Sequence, residues 1–218
     1  MSQKSISATQ IESMDSRQRV NLINAIVGFK CVNLIGTVNS KGSENLAIFS
    51  SIIHLGSSPA LLGFITRPDS VERHTLTNLL EIGCYTINHI NSDIFEKAHQ
   101  TSARYDADVS EFDATNLTAE YKEDFTAPFV KQSNIQIGMK FKQKIDIELN
   151  GTILVIGEID SIHYPEDCLC TDGFIDIEKA DTVTCSGLDS YHTTKRLSRL
   201  AYAKPDKPTV GVNMKYVE

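Results

Sequence analysis

The sequence predicts a mainly β protein with α-helical additions, its antiparallel strands forming a barrel. Three features carry this. Apolar runs of strand length recur between residues 30 and 164, bounded by Gly, Pro, Asn or Ser. Asn150-Gly151 reads as a two-residue hairpin turn between two alternating segments, 139–149 and 152–164. Strand and helix signals do not alternate regularly, which argues against a doubly wound parallel sheet.

Residues 1–29 form a helical lead-in whose clearest element is a helix over 15–28. Asp15 stands at its N-cap, Val20, Ile23 and Val27 share a face, and Gly28 ends it. "KCVNLIGTVNS" (30–40) reads as a strand, "NSKGSE" as a hairpin turn and "NLAIFSSIIHL" (45–55) as one return strand. That return strand is untidy: Asn45, Ser50 and Ser51 sit among apolar residues without clean alternation. "GSSPA" turns the chain into a buried strand, "LLGFIT" (61–66). A short helix lies within 67–83, with Ser70 or Thr75 as cap and Gly83 as stop. "CYTINHI" (84–90) is a strand, and 91–102 is a helix entered from Ser92 or Asp93. Residues 103–135 are polar and irregular, an insertion or lid. The main domain therefore spans 30–204, and 205–218 form an extended tail lying on a surface or a partner.

Composition excludes several classes. The 218 residues carry a net charge of −7 and no basic run, which argues against nucleic acid and anionic membrane partners. No segment has the apolar length of a membrane span, and the N-terminus lacks a secretory signal. Five scattered cysteines suggest reduced thiols in a cytoplasm. No dinucleotide fingerprint, phosphate loop, serine-nucleophile elbow or zinc-type His spacing occurs. Cys168-Leu169-Cys170 has no second Cys pair to complete a zinc or iron–sulfur ligand set. An enzyme of this kind would leave its hard chemistry to a cofactor.

Three stretches, in order, resemble one family: "NLIGTVNSKGSENLAIFSSIIHLGSSPALLGFITRP" (33–68), "ERHTLTNLLEIGCYTINHI" (72–90) and "VTCSGLDSYHTTKRLSRLAYAKPD" (183–206). Together they are similar to the flavin reductase-like, or flavoredoxin-type, family of the FMN-binding split-barrel superfamily. "TSARYDADVSEFDATNLT" (101–118) resembles that family's T-S … S-E-F segment. One departure is specific: Ile48 stands where the family commonly has Pro, which would remove a backbone donor. The resemblance implies a six-stranded antiparallel, Greek-key split barrel, a homodimer, and FMN near the dimer interface. It also implies NADH, NADPH or a protein donor as the source of electrons, and in some members an electron-acceptor protein or a monooxygenase partner. Two other functions stay open: a non-enzymatic FMN carrier, and a split barrel using another phosphorylated cofactor.

By that resemblance Asn45, Leu46, Ala47, Phe49, Ser50 and Ser51 form the ring site, with apolar side chains against the ring and hydroxyls and backbone at its polar edge. A barrel strand whose hydroxyls bond neighbouring backbone accounts for the same residues. Arg67, Arg73, His74 and Thr75 stand at a helix start, where free N–H groups and an Arg fork suit a phosphate. A capped surface helix with solvated Arg side chains fits them too. Asn78 would touch the phosphate or ribityl chain, or face solvent. Tyr191 would cover the flavin or nicotinamide, or pack in the core or dimer interface. No residue is singled out as an acid–base catalyst.

Overall fold

A computed structural model describes residues 2–68, 74–106, 109–122 and 124–217. Arg73 and the Ser70 cap lie outside the described residues. The lead-in holds two helices, α1 (Ala8–Ser13) and α2 (Ser16–Ile26). Asp15 caps α2 as expected, its carboxylate accepting from the N–H groups of Arg17 and Gln18. Strands β1 (Lys30–Cys31), β2 (Asn33–Val38), β3 (Glu44–Phe49), β4 (Ile53–Ser57) and β5 (Ala60–Thr66) follow. Then come α3 (His74–Ile82), β6 (Cys84–His89), α4 (Phe95–Gln100), α5 (Glu111–Ala114), β7 (Ala119–Glu120) and β8 (Phe129–Val130). The long hairpin β9 (Gln136–Ile147) and β10 (Thr152–His163) precedes β11 (Thr184–Ser186) and β12 (Ser190–His192).

Seven strands form one antiparallel sheet in the order β3-β2-β6-β9-β10-β5-β4. The expected six become seven because the return strand breaks. It pairs with β2 up to Phe49, passes through 50–52, and resumes as β4 on the opposite edge. That link sets the shape. Four peptide steps from Phe49 to Ile53 span at most about 14 Å. Seven strands laid flat would hold the two edges roughly 29 Å apart, six gaps of about 4.8 Å. The sheet must therefore roll until its edges meet. Two bonds pin the link across the seam: Ser51 Oγ donates to the Ile65 carbonyl (3.0 Å) and accepts from the Ile65 N–H (3.1 Å). Cys31 Sγ donates to the Ile52 carbonyl at 3.1 Å.

The rolled sheet is buried on both faces. Inside, Ile35, Phe64, Tyr85, Ile87, Met139, Ile153 and Val155 pack with Leu76 and Leu79 of α3. Outside, Leu34 and Leu46 pack with Ile90, Ile94, Ala98, Phe112, Leu117, Val130 and Val183. Leu34 and Ile35 alternate between these clusters, so every residue of β2 is buried. The same rule explains β3: Leu46 and Ile48 belong to the outer cluster and Phe49 to the inner one.

Several local expectations change. The β9–β10 loop is not a two-residue turn: Ile147 pairs with Thr152, leaving four residues, 148–151. Asn150 Oδ1 accepts from the Thr152 N–H, and Gly151 takes the positive φ of +71° that closes the turn. Helix α4 starts at Phe95 without a side-chain cap, because Ser92 instead donates its hydroxyl to Asp181 (2.5 Å). The 103–135 segment is no loose insertion: Phe112, Ala127, Phe129 and Val130 are at most 1% exposed. The C-terminal stretch is not simply extended: it turns at 205–207 and folds back, the Ala201 N–H donating to the Val210 carbonyl (2.9 Å) and the Val212 N–H to the Arg199 carbonyl (2.8 Å). The buried carboxylate of Asp176 anchors it by pairing with Arg196 and accepting from Tyr216 Oη at 2.8 Å. The Phe174 ring lies beside both Arg196 and Arg199. The apolar face of α2 exists, but Val20, Ile23 and Val27 are 42%, 40% and 68% exposed.

A Cβ at Gly36 would collide with the Pro128 carbonyl oxygen and Thr86 Oγ1, where the 103–135 segment lies against β2. Gly36→Ala should therefore destabilise the fold by about 2–3 kcal/mol in urea denaturation. A loss under about 0.5 kcal/mol would contradict this close approach.

Candidate functional site

The seam between the sheet edges opens on one side into a cavity of about 670 Å³, a volume typical of small-molecule sites. Its walls come from β3 and the link, from the end of β5 and the start of α3, from 101–105, from Glu111, and from 185–191. The structure brings Asn45, Ala47, Phe49, Ser50, Ser51, Arg67, His74, Thr75 and Tyr191 of the predicted set to this cavity. Leu46 and Asn78 are not among its lining residues. Leu46 is fully buried in the outer cluster. Asn78 is 6% exposed and donates to Thr37 Oγ1 at 3.2 Å.

Asn78 belongs to a polar strut. Asn45 Nδ2 donates to Thr37 Oγ1 (3.2 Å) and to Thr75 Oγ1 (3.0 Å), tying the start of α3 to β2 and β3. Buried amides and hydroxyls that satisfy one another cost little and fix geometry. The strut thus holds the described start of α3 beside the cavity. Arg67, exposed, leaves β5 at the same end.

The opposite wall was missed from the sequence. His99, Thr101, Arg104 and Tyr105 line the cavity with Glu111. For Thr101, Arg104, Tyr105 and Glu111 the only sequence signal was the resemblance of 101–118 to a family segment, and His99 had none. Tyr191 is held here: its hydroxyl meets His99 Nδ1 at 2.9 Å, and its ring packs on Phe95 with centroids 5.5 Å apart. Burial, with Cys185 and Asp189 nearby, pushes the Tyr191 hydroxyl up to about 12, so it stays protonated at neutral pH. Cys185 is likewise pushed up by burial, against a hydrogen bond with Ser50. Among the described residues no cluster of His, Cys, Asp and Glu could hold a metal ion. No helix among them is long and apolar enough to cross a membrane.

Glu111 has a clear task. β3 is an edge strand, and the Leu46 N–H points away from β2. Glu111 Oε2 accepts it at 2.9 Å. Burial raises the Glu111 carboxyl above its ordinary value, while the Leu46 hydrogen bond and the charge of His74 pull it down. A carboxyl raised in the folded state stabilises fully below its unfolded value near 4.5 and loses that contribution as pH rises through the folded value. Glu111→Gln keeps an acceptor for Leu46 without the charge. Its stability relative to wild type, followed by thermal melting, should therefore rise as the pH is raised above the ordinary carboxyl value of 4.5. Glu111→Ala strands the Leu46 N–H and should cost about 1–3 kcal/mol throughout.

Residues 30–172 match the model of the flavin reductase like domain, and the chain belongs to that family. It is similar to a Shewanella frigidimarina protein assigned as a flavin reductase with split barrel domain, at 49% identity and a TM-score of 0.89. That match covers 92% of this chain and 100% of the other. Nitrilotriacetate monooxygenase component B from Bacillus cereus shares the fold at 19% identity and a TM-score of 0.79, over 90% of this chain and 98% of its own. The 2-nitrobenzoate 2-nitroreductase NbaA of Pseudomonas fluorescens does so at 20% identity and 0.79, over 95% and 100%. The rolled sheet is thus the split barrel that the resemblance implied.

Proposed function

We propose that this member of the flavin reductase-like domain family binds FMN at the barrel seam and passes electrons from NADH or NADPH to an acceptor, which includes an electron-acceptor protein among its candidates. The observation that carries this reading is the meeting of three unlike surfaces in one cavity of about 670 Å³. Ala47, Phe49 and Ile65 offer an apolar wall for a planar ring. The outer edge of β3, with Ser50, offers donors and acceptors for the ring's polar rim. Arg67, His74 and Thr75, at the first turn of α3, suit a phosphate.

FMN, when bound, would supply the hydride-accepting and electron-releasing chemistry. The chain binds and orients it. Tyr191, clamped between His99 and Phe95, is placed to shield one side of the cavity from water. No acid–base residue is required where orientation suffices.

We further propose that a second copy covers the exposed apolar side chains. Ile26 and Phe29 are 67% and 72% exposed, Leu197 and Tyr202 100% and 93%; unpaired apolar surface of this extent favours association. The free thiols of all five cysteines support a cytoplasmic setting.

The purified protein should take up FMN, with a flavin absorption band that NADH or NADPH bleaches without air. Ser50→Trp should fill the ring slot and weaken FMN binding at least about tenfold, ~1.4 kcal/mol. Unchanged binding by that variant would reject the slot, and a wild-type protein indifferent to FMN would reject the reading. Binding without nicotinamide bleaching would identify a carrier.

A further inference from the structure

We propose that the backbone N–H of Ile48 is a ligand-directed donor at the ring edge of the cavity. The inference rests on the flavin reading above and adds a contact that a proline at this position could not make.

The argument starts from the hydrogen-bond alternation of an antiparallel pair. The β2–β3 hairpin is closed by the Asn39 N–H donating to the Ser43 carbonyl at 3.1 Å. The register then runs without a shift through Thr37↔Asn45, Ile35↔Ala47 and Asn33↔Phe49. Counting in twos from the closing bond, Asn45, Ala47 and Phe49 turn their N–H and C=O groups toward β2. Glu44, Leu46 and Ile48 turn theirs outward, over the free edge of the sheet. The Leu46 N–H confirms the count, because a side chain outside the sheet, Glu111, accepts it.

Ile48 is the next outward position, about 7 Å further along the strand. It lines the cavity, while its side chain packs against the outer apolar cluster. Among the described residues its N–H has no protein acceptor, and Glu111 is engaged one outward position earlier. The side chain is anchored and the backbone is not. Ile48 therefore presents an adjacent donor and acceptor, its N–H and C=O, toward the space a planar heterocycle would fill. The matching ligand edge carries a carbonyl oxygen or ring nitrogen as acceptor beside a ring N–H as donor. A flavin ring has such an edge, and a phosphorylated sugar alone does not.

The test compares Ile48→Pro with Ile48→Val by titrating FMN and following quenching of its fluorescence. Pro deletes the donor; because this N–H lies outside the β2–β3 ladder, no sheet bond is lost. Val keeps the donor and most of the packing. Binding should weaken about tenfold in the Pro variant and change less than about twofold in the Val variant, as for a buried acceptor left without its partner. A second measurement stands even if the Pro variant folds poorly. In wild-type protein labelled with 15N-isoleucine, the Ile48 amide, assigned by its loss in Ile48→Val, should exchange with solvent at least about tenfold more slowly once FMN saturates the protein. Equal FMN affinity in a well-folded Pro variant, or exchange at Ile48 that FMN leaves unchanged, overturns the inference while the flavin reading stands. Failure of the wild-type protein to bind FMN at all overturns both.

Discussion

Everything in this molecule follows from a link too short for a flat sheet. β3 and β4 lie on opposite edges of seven strands, yet only residues 50–52 separate them. Rolling the sheet is the only way to satisfy both facts, and the Ser51 and Cys31 bonds fix where the edges meet. Since these edges are joined by a link and not by a ladder, the seam leaves strand edge without a neighbouring strand. In most proteins such an edge is a hazard to be covered. Here Glu111 takes one outward N–H of β3, and the cavity occupies the adjoining stretch.

The same rolling explains why the barrel wall reads poorly as alternating sequence. Once α4, α5 and β8 pack outside and α3 inside, both faces of β2 and β3 lie against apolar neighbours. Alternation of polar and apolar residues belongs to sheets with one wet face. In this wall the alternation is between two cores, so the residues that break it are informative. Asn45 belongs to the strut that places α3, and Ser51 stitches the seam.

What could be read in advance was local chemistry. Asp15 accepts from the N–H groups of α2, and Gly83, with a φ of +80°, ends α3. Both follow from the preferences of single residues. Long-range partners could not be read. Asn78, on a helix beside the proposed phosphate end, was open to a ligand contact or to solvent; it is instead buried and its amide donates to Thr37, 41 positions away. Leu46 sits in the strand that lines the cavity, but its side chain is fully buried in the outer cluster. The 103–135 segment looked polar because its few large apolar residues are widely spaced. Phe112, Leu117 and Phe129 are nonetheless enough to seat it and bring Glu111 to β3. Its role depends on packing against strands that the chain formed some sixty residues earlier.

The pairing of β5 with β10 joins residues 61–66 to residues 153–158. Closing the ring therefore requires a loop of nearly ninety residues, and loop entropy makes such contacts slow to form. Until that register is in place, the seam and its cavity do not exist. A ligand held there can bind only the closed chain, so by mass action each increment of ligand concentration above its dissociation constant lowers the population of open, edge-exposed forms. For this topology, occupancy is a guard against aggregation as well as a condition for chemistry.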